Sequence, residues 1–268
     1  MKAIIHVNHA EHQRTHGAAM KAGLEAHGIA VDFAPFDQPG PCDIAVVWGY
    51  RQQNVIAHAP RLLVMERGHL PDRMVYTSCG WGGLCGRATY PAPIDGGARW
   101  AAHFASLMKP WKGEGDGANV LVCGQVTGDA SLYGLREGFE AWAMRACEEA
   151  RAAYGIEIVY RPHPLMVRRG ETWHPEGTRL STGPLDGDLA DARACITYNS
   201  TAGVEAVLAG VPTVAMDIGS MATPVASKKI GVDVRPDRLS WAHALAWTSW
   251  TMDEIADGTA WEALETCL

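Results

Sequence analysis

The sequence predicts an α/β chain of two domains, each a parallel sheet covered by helices. Three observations predict it. Short apolar runs rich in Val, Ile and Leu alternate with helical or loop stretches, the sequence form of strand–helix–strand units. The alternation halts once, at the polar, glycine-rich KGEGDGA of residues 112–118, and then restarts; such a composition marks a linker. The 268 residues, 47% of them hydrophobic, can fill one large core or two smaller ones. The expected division is residues 1–115 and 116–268, two Rossmann-like domains facing a cleft, with helices at the C-terminus.

The elements follow in order. KAIIHV is the first strand, and residues 14–27 form a helix that Gly28 ends. IAVDFAPF, DIAVVWG and RLLVME are the next three strands, and MVYTSCG is a short fifth. Residues 80–97, dense in Gly and Pro, read as loop. ARWAAHFASLMKPW has a helical pattern that Pro110 interrupts. Past the linker, NVLVCG is a strand, residues 135–154 a helix, IEIVY a strand and TRLST a shorter one. PLDGDLADA starts a helix, ACITY is a strand, TAGVEAVLA a helix and PTVAMD a strand. The tail, residues 239–268, spaces Trp241, Trp247, Trp250 and Trp261 among polar residues, as amphipathic helices do.

Composition narrows the function. Charged residues are 20% of the chain and the net charge is -7, which argues against a uniformly basic coat for nucleic acid but leaves room for a local basic groove. The seven cysteines are odd in number, include no C-x-x-C pair, and in part sit in apolar runs such as VLVCG and ARACIT. They read as reduced, buried thiols in a cytoplasmic protein. No apolar run approaches the roughly 20 residues of a membrane span. MKAIIHVNHAEHQ opens as a strand broken by histidines, not as a signal peptide.

Ligands of open parallel sheets bind at the carboxyl ends of strands. The second half offers three polar exits: Gly124-Gln125-Val126-Thr127-Gly128-Asp129, Arg161-Pro162-His163-Pro164 and Tyr198-Asn199-Ser200-Thr201. A helix starting at Ser200-Thr201 presents unsatisfied amides and hydroxyls that suit phosphate; equally, Asn199 or Ser200 can be a plain N-cap. Arg161 is a forked cation suited to phosphate, and His163 sits on stiff backbone between two prolines. Glu205, four residues after Thr201, shares its helical face in an otherwise apolar helix, where a carboxylate needs a partner.

In the first half, Glu66 follows an apolar run directly and can serve as general base on an acceptor hydroxyl, with Asp72 as the second candidate. A surface ion pair of Glu66 with Arg67 or Arg73 is the plainer alternative. Asn8 and His9, with His12 and His16 beyond, form a further polar rim, joined on the acceptor side by Arg67, His69 and Arg73. The histidine spacing fits no standard zinc pattern, and Asp186-Gly187-Asp188 stands where aspartates cap helices, so no metal is expected. There is no G-x-x-x-x-G-K-[ST], no G-x-S-x-G and no H-E-x-x-H.

Arg161-Pro162-His163-Pro164, Ser181-Thr182, Pro184-Leu185 and ITYNSTAGVEAVLAGVPTVAMD together resemble the nucleotide-sugar domain of GT-B glycosyltransferases, notably the capsule Kdo transferases and their sialyl- and glycerophosphate-transferase relatives. The resemblance spans about residues 120–224. It implies a donor site drawn from Gln125, Thr127, Arg161, His163, Ser181, Thr182, Tyr198, Asn199, Ser200, Thr201 and Glu205. It also implies a UDP- or CMP-sugar donor with no further cofactor. ERGHLPDR resembles the segment carrying the acceptor-domain base of related Kdo transferases, which points to Glu66. IGSMATPVA stands where that group carries an aromatic step.

The compact form, with ERGHL, GWGGL and WTSWTMDEIADGTAW, is similar to phage-encoded proteins, which implies a bacterial or phage-infected cell and hydroxymethylpyrimidine in DNA as acceptor. Arg67, Arg73, Arg87, Arg161, Arg168, Arg169, Lys228 and Lys229 are available for phosphate contacts. The expected reaction is inverting and metal-independent, with His163 assisting the leaving phosphate. A capsule or lipopolysaccharide Kdo-type transferase, a UDP-sugar 2-epimerase-like enzyme and a non-catalytic nucleotide-binding module stay open, as does the oligomeric state.

Overall fold

A computed structural model of the chain describes residues 1–171 and 173–268. By contacts the chain falls into two compact units, Met1–Ala101 with Ala242–Leu268, and Ala102–Trp241.

In chain order, β1 (Lys2–Val7) leads to α1 (Glu11–Ala26), then β2 (Ala30–Pro35), β3 (Ile44–Trp48), α2 (Gln53–His58), β4 (Leu62–Arg67), β5 (Thr77–Trp81) and α3 (Ala98–His103). The second unit carries β6 (Asn119–Cys123), α4 (Phe139–Tyr154), β7 (Glu157–Arg161), α5 (Pro164–Arg168), β8 (Arg179–Leu180), α6 (Leu185–Asp191), β9 (Ala192–Thr197), α7 (Ala202–Leu208) and β10 (Thr213–Ala215). The chain ends in α8 (Leu239–Ala246), β11 (Ser249–Trp250), α9 (Met252–Ala256) and α10 (Thr259–Glu265).

The first unit holds a six-stranded sheet in the order β11-β5-β4-β3-β1-β2, and the second a five-stranded sheet in the order β10-β9-β6-β7-β8. All pairings of the second sheet are parallel. In the first, β2, β1, β3 and β4 run parallel, while β5 is antiparallel to β4 and β11 to β5. The central parallel strands are apolar on both faces, as burial under two helical layers requires; β6, for example, is buried along its whole length, whereas the edge strand β2 is largely exposed. α4 stops at Gly155, whose φ of 64° closes the helix in the left-handed region.

The division differs from the expected 115/116 boundary in two ways. The KGEGDGA stretch is not a loose linker at its start. Lys109 N donates to Leu208 O, Lys112 N to Gly210 O, and Lys112 Nζ caps the carbonyls of Leu189, Ala190 and Ala192. Gly210 passes so close to Pro110 O that an added Cβ would lie 1.9 Å from it, so this chain crossing requires glycine. The C-terminal tail, assigned by sequence to the second domain, belongs to the first unit. There Trp250 and Trp261 are buried in the core with Met65, Cys79 and Trp81. Trp81 Nε1 donates to Leu264 O at 3.0 Å, and Arg99 grips Glu254 with both ends of its fork. Four tryptophans in thirty residues could not reveal which sheet they would cover. Among the described residues no helix is long and apolar enough to cross a membrane.

Candidate active site

In the second unit β9, β6 and β7 are adjacent and parallel, so their three polar exits emerge along one edge. The first contact there is between two amides. Gln125 Nε2 donates to Asn199 Oδ1 at 2.7 Å, and Asn199 N donates to Gln125 Oε1 at 3.0 Å. Asn199 Nδ2 then donates to Ser131 O at 2.7 Å and to Asp217 Oδ2 at 2.9 Å. Both amides are buried. Their polar atoms are spent on tying the exits of β6, β9 and β10 together, as buried amides require. Asp217 also accepts Gly219 N at 3.0 Å. Asp217 was not among the residues expected from sequence, although it follows β10 as the other polar exits follow β6, β7 and β9.

The β9 exit then turns into α7. Ser200 Oγ accepts the Ala202 amide at 3.2 Å, so Ser200 takes a capping role. Thr201 stands at the start of α7 in helical conformation, half-buried like Ser200. Glu205 is half-buried on α7. Tyr198 faces inward: it is 7% exposed and meets Trp142 edge-on at 5.7 Å. Its ring is thus core packing rather than ligand surface.

The β7 exit carries Arg161 and His163. Arg161 Nη1 contacts Asp188 Oδ2 at 2.7 Å, Gly183 O at 2.6 Å and Ser181 Oγ at 3.1 Å, and Ser181 Oγ donates to Asp188 Oδ2 at 2.5 Å. The guanidinium charge is therefore matched by a carboxylate, and a phosphate would have to share or displace it. Asp188, the second aspartate of the D-x-D, is spent as this partner rather than as a cap. Ser181 is buried in the network, whereas Thr182 is exposed.

His163 caps α5, its Nδ1 accepting the Leu165 amide at 3.1 Å. An accepting Nδ1 places the ring proton on Nε2, so His163 can donate from that nitrogen. The imidazole borders a shallow open depression, about 30 Å³ in volume, with Gln125, Thr127, Glu140, Met166 and Trp173. Trp173 meets Tyr160 edge-on at 5.9 Å. Neither Trp173 nor Glu140 was flagged by sequence, since both lie away from the strand exits. The exposed Thr127 also lines this depression.

In the first unit, strand alternation separates two neighbours. Arg67 lies on the side of Met65 and Glu66 on the other, because successive side chains of a strand point to opposite faces. Arg67 Cζ stands 5.6 Å from the Trp48 ring, and the rings of His12 and His16 meet the same indole edge-on at 5.3 and 4.6 Å. His16 is buried, and burial lowers its pKa despite the opposing bond to His12 O. Trp48 went unremarked in the sequence because it closes a strand that reads simply as apolar. Asn8 turns inward to bind its own chain, Oδ1 accepting Ala10 N at 2.8 Å, while His9 is exposed.

Glu66 is bound from the loop that follows β5. Its Oε1 accepts Cys85 N at 2.8 Å, and the Cys85 thiol lies 3.3 Å from Oε2. His69 Nε2 is 3.7 Å from Oε1 and 3.3 Å from the Tyr90 hydroxyl. His69 is 1% exposed; burial first, then the charge of Arg73, pushes its pKa down to about 3, so it is neutral. His69 thus belongs beneath Glu66 and not on an accessible acceptor rim. Arg73 donates from Nε to Gly68 O at 2.8 Å, folding back on its own loop. Asp72 is exposed and holds φ of 63°, a turn position rarely taken by residues other than glycine, asparagine or aspartate. Arg168 and Arg169 are exposed at the end of α5, and Lys228 and Lys229 are exposed beside Glu149 and Ala152 of α4.

No family model and no curated protein matches the chain. Solved structures do. The beta Kdo 2,7 transferase of Thermosulfurimonas dismutans KpsC superposes with a TM-score of 0.61 at 16% identity, covering 98% of this chain and 100% of that one. The beta Kdo 2,4 transferase of the same organism's KpsC gives a TM-score of 0.58 at 17% identity over 90% and 89%. At these identities the likeness establishes the fold: the chain's structural neighbours are glycosyltransferases of the GT-B fold, and its parallel sheets match theirs.

Proposed function

We propose that this chain is a glycosyltransferase that moves a sugar from a nucleotide-sugar donor to a hydroxyl acceptor. The observation that carries the reading is the single edge where β6, β7 and β9 end on a GT-B scaffold. There the Gln125–Asn199 pair ties the exits of β6 and β9 together, with β10 joined through Asp217, and His163, Thr127, Ser200 and Thr201 supply donors for an anionic ligand. The donor is a UDP- or CMP-sugar. The nucleotide base lies across the mouth of the shallow depression beside His163 and Trp173, because an indole and a carboxylate such as Glu140 suit a planar base with amino or imino donors.

The chemistry follows from charge. Glu66, or failing it Asp72, accepts the acceptor's hydroxyl proton as the oxygen attacks the anomeric carbon. The bond from that carbon to the phosphate oxygen breaks with inversion, and the nucleotide leaves with the electron pair. Donation from His163 Nε2 and the hydroxyls of Ser200 and Thr201 stabilises the growing negative charge in place of a metal. Arg161 contributes to the extent that the phosphate shares it with Asp188. Glu66 is preferred because its carboxylate is oriented by Cys85, whereas Asp72 is exposed.

For the acceptor we favour a hydroxymethylated pyrimidine in DNA. Trp48 and Arg67 share the face of the sheet opposite to Glu66, so they offer an indole and a cation to a neighbouring nucleotide of the strand rather than to the reacting base. The test is incubation with labelled UDP-, CMP-, GDP- and TDP-sugars and hydroxymethylated DNA, with oligosaccharide as the competing acceptor. Label entering DNA, and its loss in Glu66→Gln with a rate drop of about 10²–10⁴, supports the reading. Label entering only the oligosaccharide sinks the DNA acceptor, and isomerised sugar without acceptor sinks transfer.

A further inference from the structure

We propose that Glu66, His69 and Cys85 form a binding site for a divalent ion of the zinc class, and that loading it shuts off transfer. The second half of this statement rests on the reading of Glu66 as base; the first does not. A carboxylate oxygen, an imidazole nitrogen and the thiol sulfur of these residues lie within 4.8 Å of one another. They come from three places in the chain: the end of β4, the turn after it, and the short 3-10 turn at Cys85–Arg87. Sulfur, imidazole and carboxylate together are the donors a zinc-class ion takes, whereas magnesium and calcium take oxygen almost alone.

Burial supplies the second, independent observation. His69 is 1% exposed, and among the described residues its Nδ1 has no hydrogen-bond partner. Its Nε2 reaches only the Tyr90 hydroxyl at 3.3 Å and Glu66 Oε1 at 3.7 Å. The nitrogen that faces Glu66 is thus held only by long contacts, and its lone pair stays buried and underused unless an ion takes it. Cys85 N already orients Glu66 Oε1, so one ligand oxygen is preset. On loading, the Cys85 thiol gives its proton to solvent. Thiolate and carboxylate then balance the two charges of the ion, and water or the Tyr90 oxygen is available for the fourth position. The same ion occupies the lone pairs with which Glu66 would accept the acceptor's proton.

The test uses the full chain freed of metal by a chelator, with Co²⁺ as the spectroscopic probe. One equivalent is expected to bring a near-ultraviolet thiolate-to-cobalt band and the visible bands of a low-coordinate ion. Zn²⁺ should bleach both, and Cys85→Ser should remove the thiolate band. His69→Gln should weaken cobalt binding at least about tenfold, with circular dichroism checking that each variant is folded. Absence of the thiolate band in the folded wild-type chain overturns the site, whatever transfer does. If the band appears and Zn²⁺ inhibits transfer, with at least about tenfold relief in Cys85→Ser relative to that variant's own metal-free rate, both halves stand. If the band appears and transfer is undisturbed, the site stands and the shut-off is overturned, along with Glu66 as base.

Discussion

Removing the Asn199 side chain tests whether the buried amide pair holds the strand exits. Asn199→Ala breaks three bonds: from Gln125 Nε2, to Ser131 O and to Asp217 Oδ2. The first two are neutral and worth about 1 kcal/mol each, and the third is to a carboxylate and worth about 1.5 kcal/mol or more. Asp217 is half-buried, so water recovers part of its bond, and the expected loss is about 3 kcal/mol. For a unit spanning Ala102–Trp241, that lowers its Tm by about 10 °C. The assay is calorimetry or urea unfolding of wild type, Asn199→Ala, Gln125→Ala and the double variant. The two changes should couple by about 1 kcal/mol or more, because each removes the other's partner. Nucleotide protection against unfolding should shrink in both single variants. A Tm shift below about 3 °C, or strict additivity, would refute the claim that this pair fixes the edge.

The remaining predictions concern charge, the cap and the indole. Asp188→Asn should destabilise the second unit by about 2–3 kcal/mol, since it leaves the largely buried Arg161 without its carboxylate; urea unfolding reads this. His163→Ala should cost about 1 kcal/mol as a lost cap, and His163→Asn, which can still cap, should restore stability but not transfer rate. Burial alone would raise the Glu254 carboxyl, but Arg99 and the Thr251 amide outweigh it and hold its pKa below the ordinary 4.5. That contribution is therefore present above pH 4.5 and lost as pH falls toward the folded value; Glu254→Gln should flatten the acid side of the stability curve. Trp48→Ala should raise the acceptor KM by about 10-fold or more, the weight of one base stack, with the donor KM unchanged in steady-state kinetics.

Much of this was legible in the residues. The parallel strands announced themselves as apolar runs, and the exits of β6, β7 and β9 were readable because polar residues follow apolar runs abruptly. Their adjacency depended only on strand order. What those residues do was less legible. Arg161 looks like a phosphate ligand until Asp188, 27 positions later, is seen beside it, and Asn199 looks like a cap until Gln125 is seen across the sheet. Tyr198 carries a hydroxyl but lies against Trp142, and no local pattern distinguishes the two fates of a tyrosine. β5 was found as a strand but not as an antiparallel one, and β11 was hidden in a tail that reads as helical. Long-range partners decided each of these outcomes, and sequence spacing does not encode them.

The central claim is that the chain transfers sugar from a nucleotide. It is tested most directly by following nucleotide release from each labelled donor, with and without hydroxymethylated DNA, and weighing the acceptor by mass spectrometry. The account predicts release from one UDP- or CMP-sugar that depends on acceptor, with the acceptor gaining the mass of one sugar residue. Nucleotide bound but never released, with every acceptor unchanged in mass, would contradict it.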